Sequence, residues 1–219
     1  MATRQLLANL VAAYQQKVDR TINIESVGGV DAAKRVQAGE PFDVVILAAD
    51  AIDKLIAAGR IDIDSKVDLV HSGVAVAVRA GAIQPDISSE EAVRQAVLAA
   101  RTLSYSTGPS GVALAKLFER WGIADTIASR IVQAPPGVPV GKLVAQGEVE
   151  LGFQQLSELI HLEGITVVGP LPANIQITTT FSAGVCTGST QAQAVRDLLA
   201  FMASNQTADA KRRQGMEPA

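Results

Sequence analysis

Apolar and polar positions along the chain fall into blocks whose period switches between that of a helix and that of a strand. Between residues 3 and 18, Leu6, Leu7, Leu10, Val11 and Tyr14 lie one, three or four positions apart, which puts them on one stripe of a helix. Thr3 stands where its N-cap is expected. Residues 21–26, Thr-Ile-Asn-Ile-Glu-Ser, alternate with period two and predict a strand. The glycine turn Val27-Gly28-Gly29-Val30-Asp31 then opens a helix over 31–37, closed by Gly39. The apolar run at 42–47 predicts a parallel strand covered on both faces, and a helix follows over 50–58. Helix and strand thus alternate from the start, the mark of an α/β fold.

The same alternation continues. Strands are predicted at 69–78, 102–106, 131–133, 149–153, 165–168 and 175–188. Helices are predicted at 90–101, capped by Ser88 or Ser89, and at 112–121, 140–146 and 191–204. Lys211, Arg212 and Arg213 read as a solvated face at the end of a last helix. No repeat of fixed period stands out. No linker is long enough to separate beads on a string, whereas a middle segment inserted between the two ends of another lobe fits the pattern.

Composition narrows this picture. The 219 residues are 48% hydrophobic and 19% charged, as in an ordinary folded protein. A net charge of −3 without a clustered basic face argues against a nucleic-acid partner. No run of about 18 apolar residues is present, so the chain is not expected to be membrane-embedded. The first residues show neither an apolar signal-peptide core nor a small-residue cleavage site. Cys186 is the only cysteine, which excludes an internal disulfide, and its apolar surroundings predict a buried strand residue. His71 and His161 lack ligand spacing and read as loop or strand-end residues. No metal site is expected.

Candidate chemistry resides in three turns, each between a strand and a helix. They are Val27-Gly28-Gly29-Val30-Asp31, Thr107-Gly108-Pro109-Ser110-Gly111 and Pro136-Gly137-Val138-Pro139-Val140. A helix N-terminus offers unpaired N–H groups and a positive dipole end, so it attracts anions, and glycine lets the backbone approach a ligand closely. One such turn is ordinary turn chemistry. Three together, at the strand ends where open α/β sheets bind ligands, point to an anion site. None is a nucleotide fingerprint, so no nucleotide cofactor is expected. No Ser–His–Asp or Cys–His pattern is readable.

The run Gly39-Glu40-Pro41-Phe42-Asp43-Val44-Val45-Ile46-Leu47-Ala48-Ala49-Asp50 resembles a segment of molybdate-binding-protein-like solute receptors. So do Pro109-Ser110-Gly111, with the Ala-rich helix ending at Trp121-Gly122-Ile123, and Gly147-Glu148-Val149-Glu150-Leu151-Gly152-Phe153. The resemblance covers nearly the whole chain in order. It implies a two-lobed type II periplasmic-binding-protein fold, each lobe a mostly parallel sheet flanked by helices. Lobe I would hold residues 1–79 plus 177–219, and lobe II residues 80–176. A small anion would lie in the cleft between them, held by neutral donors.

Carried over by position, the resemblance implies ligand-binding roles for Thr3, Gly29 and Val30, for Ser110 and Gly111, for Val138 and Val140, and for Gln155. Gln155 stands where the family often has a tyrosine, and Gly28-Gly29-Val30 replaces a Ser-Gly stretch. A glutamine amide both donates and accepts, which suits an organic carboxylate better than molybdate or tungstate. A molybdate or tungstate receptor remains one alternative. Another is a cofactor-free isomerase of an aconitate-type tricarboxylate, for which Tyr105, His71 and Glu158 are the candidate proton-transfer groups. The resemblance points to the periplasm and to an ABC transporter permease as an optional partner, while the start of the chain leaves the cytoplasm open. The family's first strand has no counterpart before Met1, so the native protein is expected to start upstream, or another segment to fill that place.

Overall fold

Helix α1 (Arg4–Gln15) buries Leu6, Leu7, Leu10, Val11 and Tyr14, the stripe that the spacing predicts. The structure is a computed structural model and describes residues 1–135 and 137–219. Thr3 holds the N-cap position of α1, although its side chain makes no capping hydrogen bond. Residues 21–26 form no strand. Alternation makes a segment able to pair, but a strand exists only when a neighbour completes its ladder, and no described segment does so here. Ile22 still packs on the core beside α1.

Helix α2 (Gly29–Gln37) starts directly at the glycine turn, and β1 (Val44–Ala48) and α3 (Ala49–Ala57) follow. The 13-residue β2 (Val67–Arg79) is the longest strand described. Then come α4 (Glu90–Ala99), β3 (Leu103–Tyr105), α5 (Pro109–Arg120), α6 (Ala124–Ile127) and α7 (Val140–Gln146). The chain continues through β4 (Leu151–Gln155), α8 (Leu156–Leu159), β5 (Ile165–Pro170), β6 (Thr178–Val185), α9 (Ala192–Ala203), α10 (Ala208–Arg213) and β7 (Met216–Pro218). The α4 cap is Ser89, whose Oγ accepts the Ala92 N–H at 3.1 Å. The strand expected at 131–133 reduces to a single bridge between Ile131 and Leu103. The turn expected at 135–139 includes Pro136, which lies outside the described residues.

Two compact units divide the chain: Met1–Ser72 with Thr179–Ala219, and Gly73–Thr178. The divide lies within β2, whereas the sequence pattern places it after residue 79. In the first unit, β1 pairs antiparallel with β6, β6 neighbours β2, and β7 pairs antiparallel with the start of β2. Leu6, Leu10, Val70, Leu199 and Met202 form one of its cores, and Val36, Ile52 and Leu55 are part of another that includes Cys186. In the second unit, β4 and β5 both run antiparallel to the end of β2, and β3 runs parallel to β4. Its main core gathers around Phe118, Phe153, Leu103 and Val76.

The expectation of mostly parallel sheets is therefore corrected: β3 and β4 run parallel, whereas β1 with β6 and β2 with each of β4, β5 and β7 run antiparallel. A continuous apolar run reports that both faces of a strand are covered, and a covered antiparallel strand meets that condition equally well. His71 lies inside β2 rather than at a strand end, its Nδ1 2.9 Å from Thr180 Oγ1.

The basic tail also departs from expectation. Arg212 and Arg213 are exposed, but Lys211 is 1% exposed, covered as α10 folds back towards β7. Burial holds its ammonium below the usual lysine value of 10.5. The depressed value means that the unfolded chain binds more protons over the interval just below 10.5, so this residue makes stability rise with pH there. Lys211→Met should flatten that rise while leaving the fold intact, which urea melts between pH 8 and pH 10.5 would measure.

Candidate functional site

The turn from β3 into α5 has the tightest construction in the second unit. Gly108 is the N-cap and Pro109 takes the first helical position, where a missing N–H costs nothing. Ser110 is buried, and its Oγ lies 3.2 Å from that of Ser106. A Cβ at Gly111 would sit 1.6 Å from the Ser106 carbonyl oxygen, so the helix reaches this strand end only with glycine there. The first-turn amides of α5 have no acceptor within the helix, which makes this end a place for anionic oxygens. Behind it, Tyr105 packs edge-on against Phe118 with ring centroids 5.8 Å apart, and burial pushes its phenol above 10.

The start of α7 is arranged differently. Pro139 is its N-cap and Val140 is fully buried. The Val138 N–H already donates to the Pro135 carbonyl at 3.0 Å, so it is not the open donor that the resemblance implies. The Gly141 N–H donates to Gln154 Oε1 at 3.2 Å. Through its Nε2, Gln154 donates in turn to a carboxylate oxygen of Glu158.

Gln154 and Gln155 are 4% and 5% exposed at the end of β4. Neither merely faces solvent. Strand alternation sends them to opposite faces, Gln154 to the side of α7 and Gln155 to the other. Glu158, in α8, is half-buried. Burial is the largest influence on its carboxyl and pushes it above the usual 4.5. A raised folded-state value adds stability below 4.5 that is lost as pH climbs through the folded value, since ionisation then strips water from a carboxylate. Glu158→Gln should therefore fold at least as stably as the native chain at pH 7, by thermal melts. An amide oxygen there can still accept from Gln154.

In the first unit, Gly28 is the N-cap of α2, with Gly29 and Val30 in its first turn. The Val30 side chain is 62% exposed. A Cβ at Gly29 would meet only Leu47 Cδ2, at an ordinary 3.8 Å, so no protein atom requires glycine there. Thr3 is buried at the start of α1. Cys186 is buried beside β6, and burial together with Asp43 pushes its thiol to about 11, well away from a reactive thiolate.

Within the second unit, the structure thus gathers Ser110 and Gly111 on α5, Val140 on α7, and Gln155 on β4 at the ends of neighbouring β3 and β4. Sequence reasoning missed Ser106 and Gln154. Ser106 borders the glycine turn it supports, and Gln154 directly follows the quoted Gly147–Phe153 stretch, so position alone could have marked both. Among the described residues, no three His, Cys, Asp or Glu side chains are placed to hold a metal ion. No helix among them is long and apolar enough to cross a membrane.

Comparison with known proteins adds to this geometry. Residues 1–217 match the family described as bacterial extracellular solute-binding protein. Over 185 residues, 84% of this chain and 70% of the relative, the sequence is 41% identical to a Pseudomonas protein named aconitate isomerase. The periplasmic molybdate-binding protein of Azotobacter vinelandii shares the fold with a TM-score of 0.79 at 19% identity, covering 98% of this chain and 94% of that one. A Mycobacterium tuberculosis sulfate-binding protein does so with a TM-score of 0.68 at 18% identity, covering 87% and 74%.

Proposed function

Because the chain belongs to the bacterial extracellular solute-binding protein family, we propose that it takes a small organic polycarboxylate as ligand and interconverts the cis and trans forms of an aconitate-type tricarboxylate. The observation that carries this reading is the 41% identity to aconitate isomerase over most of the chain. The chemistry of the turns supports it. Interconversion by an allylic proton shift needs donors for the carboxylates and one group able to take and return a proton, with no metal or redox cofactor. Backbone amides at the start of α5, the Ser106 and Ser110 hydroxyls and the Gln155 amide supply neutral donors for carboxylates. In the first unit, the α2 amides at Gly29 and Val30 and the Thr3 hydroxyl are neutral donors of the same type.

A second reading is a receptor that binds the carboxylate without turning it over and hands it to an ABC transporter permease in the periplasm; the family's description as extracellular solute-binding protein supports its binding role. Proton NMR of cis-aconitate incubated with the protein separates the two. The trans vinyl signal should grow until the isomers equilibrate. Thermal shifts with cis-aconitate, its saturated tricarboxylate analogue, molybdate and sulfate test the ligand class. At 100-fold the dissociation constant a true ligand stabilises the fold by about 2.7 kcal/mol. Stabilisation by the carboxylates with an unchanged spectrum would leave the receptor reading, and stabilisation by molybdate alone would sink the carboxylate one.

A further inference from the structure

We infer that Glu158 carries the proton between the two carbons of the allylic system, and that Gln154 is the positioning residue that aims it; this rests on the isomerase reading above. Gln154 has both ends of its amide committed. Its Oε1 accepts from the Gly141 N–H, a group that can only donate, so its NH2 must face Glu158. The turn from β4 into α8 brings Glu158 back over Gln154, four residues earlier. The carboxyl is thereby tied, through one buried side chain, to the first turn of α7, where Gly141 follows the buried Val140. One hydrogen bond to one oxygen orients a carboxylate without exhausting its acceptor capacity.

The other two candidates fit the task less well. The Tyr105 phenol is pushed up by burial, so its base form is scarce near neutrality. His71 is held against Thr180 within the first unit. Burial raises the Glu158 carboxyl as well, but from a starting value of 4.5, and so towards the range in which a carboxylate is a stronger base and its acid form a usable donor.

The step balances with this one group. The Glu158 carboxylate takes a proton from the CH2 carbon of the substrate, and the C–H electron pair spreads over the allylic carbons and their carboxylates. The carboxyl then returns the proton to the carbon that was vinylic. A double bond forms on the side of the former CH2 carbon as the original one is lost, and it can close in the other geometry. No oxidant, reductant or net proton is needed. Helix N-terminal amides would stabilise the charge that develops on the carboxylates.

The test is the full chain with cis-aconitate followed by proton NMR in D2O, alongside Glu158→Gln, Glu158→Asp and Gln154→Ala. The native chain should isomerise the substrate and wash deuterium into its CH2 position. Glu158→Gln should lose turnover by roughly 100-fold or more, the usual weight of a positioned acid or base, while its thermal stabilisation by cis-aconitate persists. Glu158→Asp, which keeps the carboxyl but withdraws it by one methylene, should lose kcat at least tenfold and guards against misfolding of the amide variant. Gln154→Ala should lower kcat with KM within threefold, the mark of a group that aims the acid rather than binding the ligand. Turnover of Glu158→Gln or Glu158→Asp within threefold of native would overturn the assignment of Glu158 and leave the isomerase reading standing. Unchanged kcat in Gln154→Ala would overturn the role given to Gln154. Binding without turnover in the native chain would overturn reading and inference together.

Discussion

Gly111→Ala should destabilise the protein by about 3 kcal/mol, at the upper end of what overpacking usually costs. The added methyl carbon would lie 1.6 Å from the Ser106 carbonyl oxygen, less than half a van der Waals contact. The obstacle is backbone rather than the end of a flexible side chain, so relief requires α5 to withdraw from the end of β3. In a chain of this size the loss corresponds to a drop in Tm of roughly 6–12 °C. Withdrawal of the helix also moves the Ser110 and Gly111 amides, so stabilisation by cis-aconitate should vanish together with the lost stability. Gly29→Ala is the matched control. Its new carbon meets Leu47 at 3.8 Å, and its stability should stay within about 0.5 kcal/mol of native, as at surface positions free of packing conflicts. Parallel urea melts of the two variants check the contrast. Equal stabilities would mean that the close approach of α5 to Ser106 does not hold in solution.

Phe118→Ala should cost about 3–5 kcal/mol, the range for emptying a buried aromatic position. Phe118 is 2% exposed, and its ring centroid lies 5.8 Å from that of Tyr105, 5.9 Å from Trp121 and 6.1 Å from Phe153. In a chain with 4% aromatic residues, few other large side chains could expand into the void. The same ring joins α5, which carries Ser110 and Gly111, to β4, which ends in Gln154 and Gln155. Ligand-induced stabilisation should therefore fall as well as intrinsic stability. Phe118→Leu, which fills most of the space, should recover more than half of both. Denaturant melts with and without cis-aconitate would measure the two effects. A loss below 1 kcal/mol for the alanine variant would be too small for a residue that anchors the unit.

Much of the fold could be read from patterns that depend on neighbours along the chain. The stripe from Leu6 to Tyr14 buries one face of α1, Gly147 ends α7 in the left-handed conformation as a C′ glycine should, and Ser89 caps α4. The burial of Cys186 was equally legible, because six consecutive small or apolar residues leave little choice. Part of the candidate site was also visible. Glycine and proline at helix starts mark where anions can approach, and Pro109-Ser110-Gly111 shows that construction most fully.

What lay beyond the sequence shares one cause, since each case depends on what arrives from a distance. Residues 21–26 alternate as a strand does, yet form none without a partner beside them. The direction of β2 relative to β4, β5 and β7 leaves no trace in its composition, because a side chain covered on both faces cannot report which way its neighbour runs. Lys211 looks solvated in a basic tail and is buried by the packing of α10 near β7. Gln154 and Glu158 are ordinary polar residues until α7 presents the Gly141 N–H to one of them and burial makes the other a weaker acid. Period and turn chemistry, being local, set the helices, most strands and the anion-attracting helix starts. Pairing, burial of charge and the aim of a carboxyl arise from contacts between segments far apart in the chain, and came into view with the folded structure.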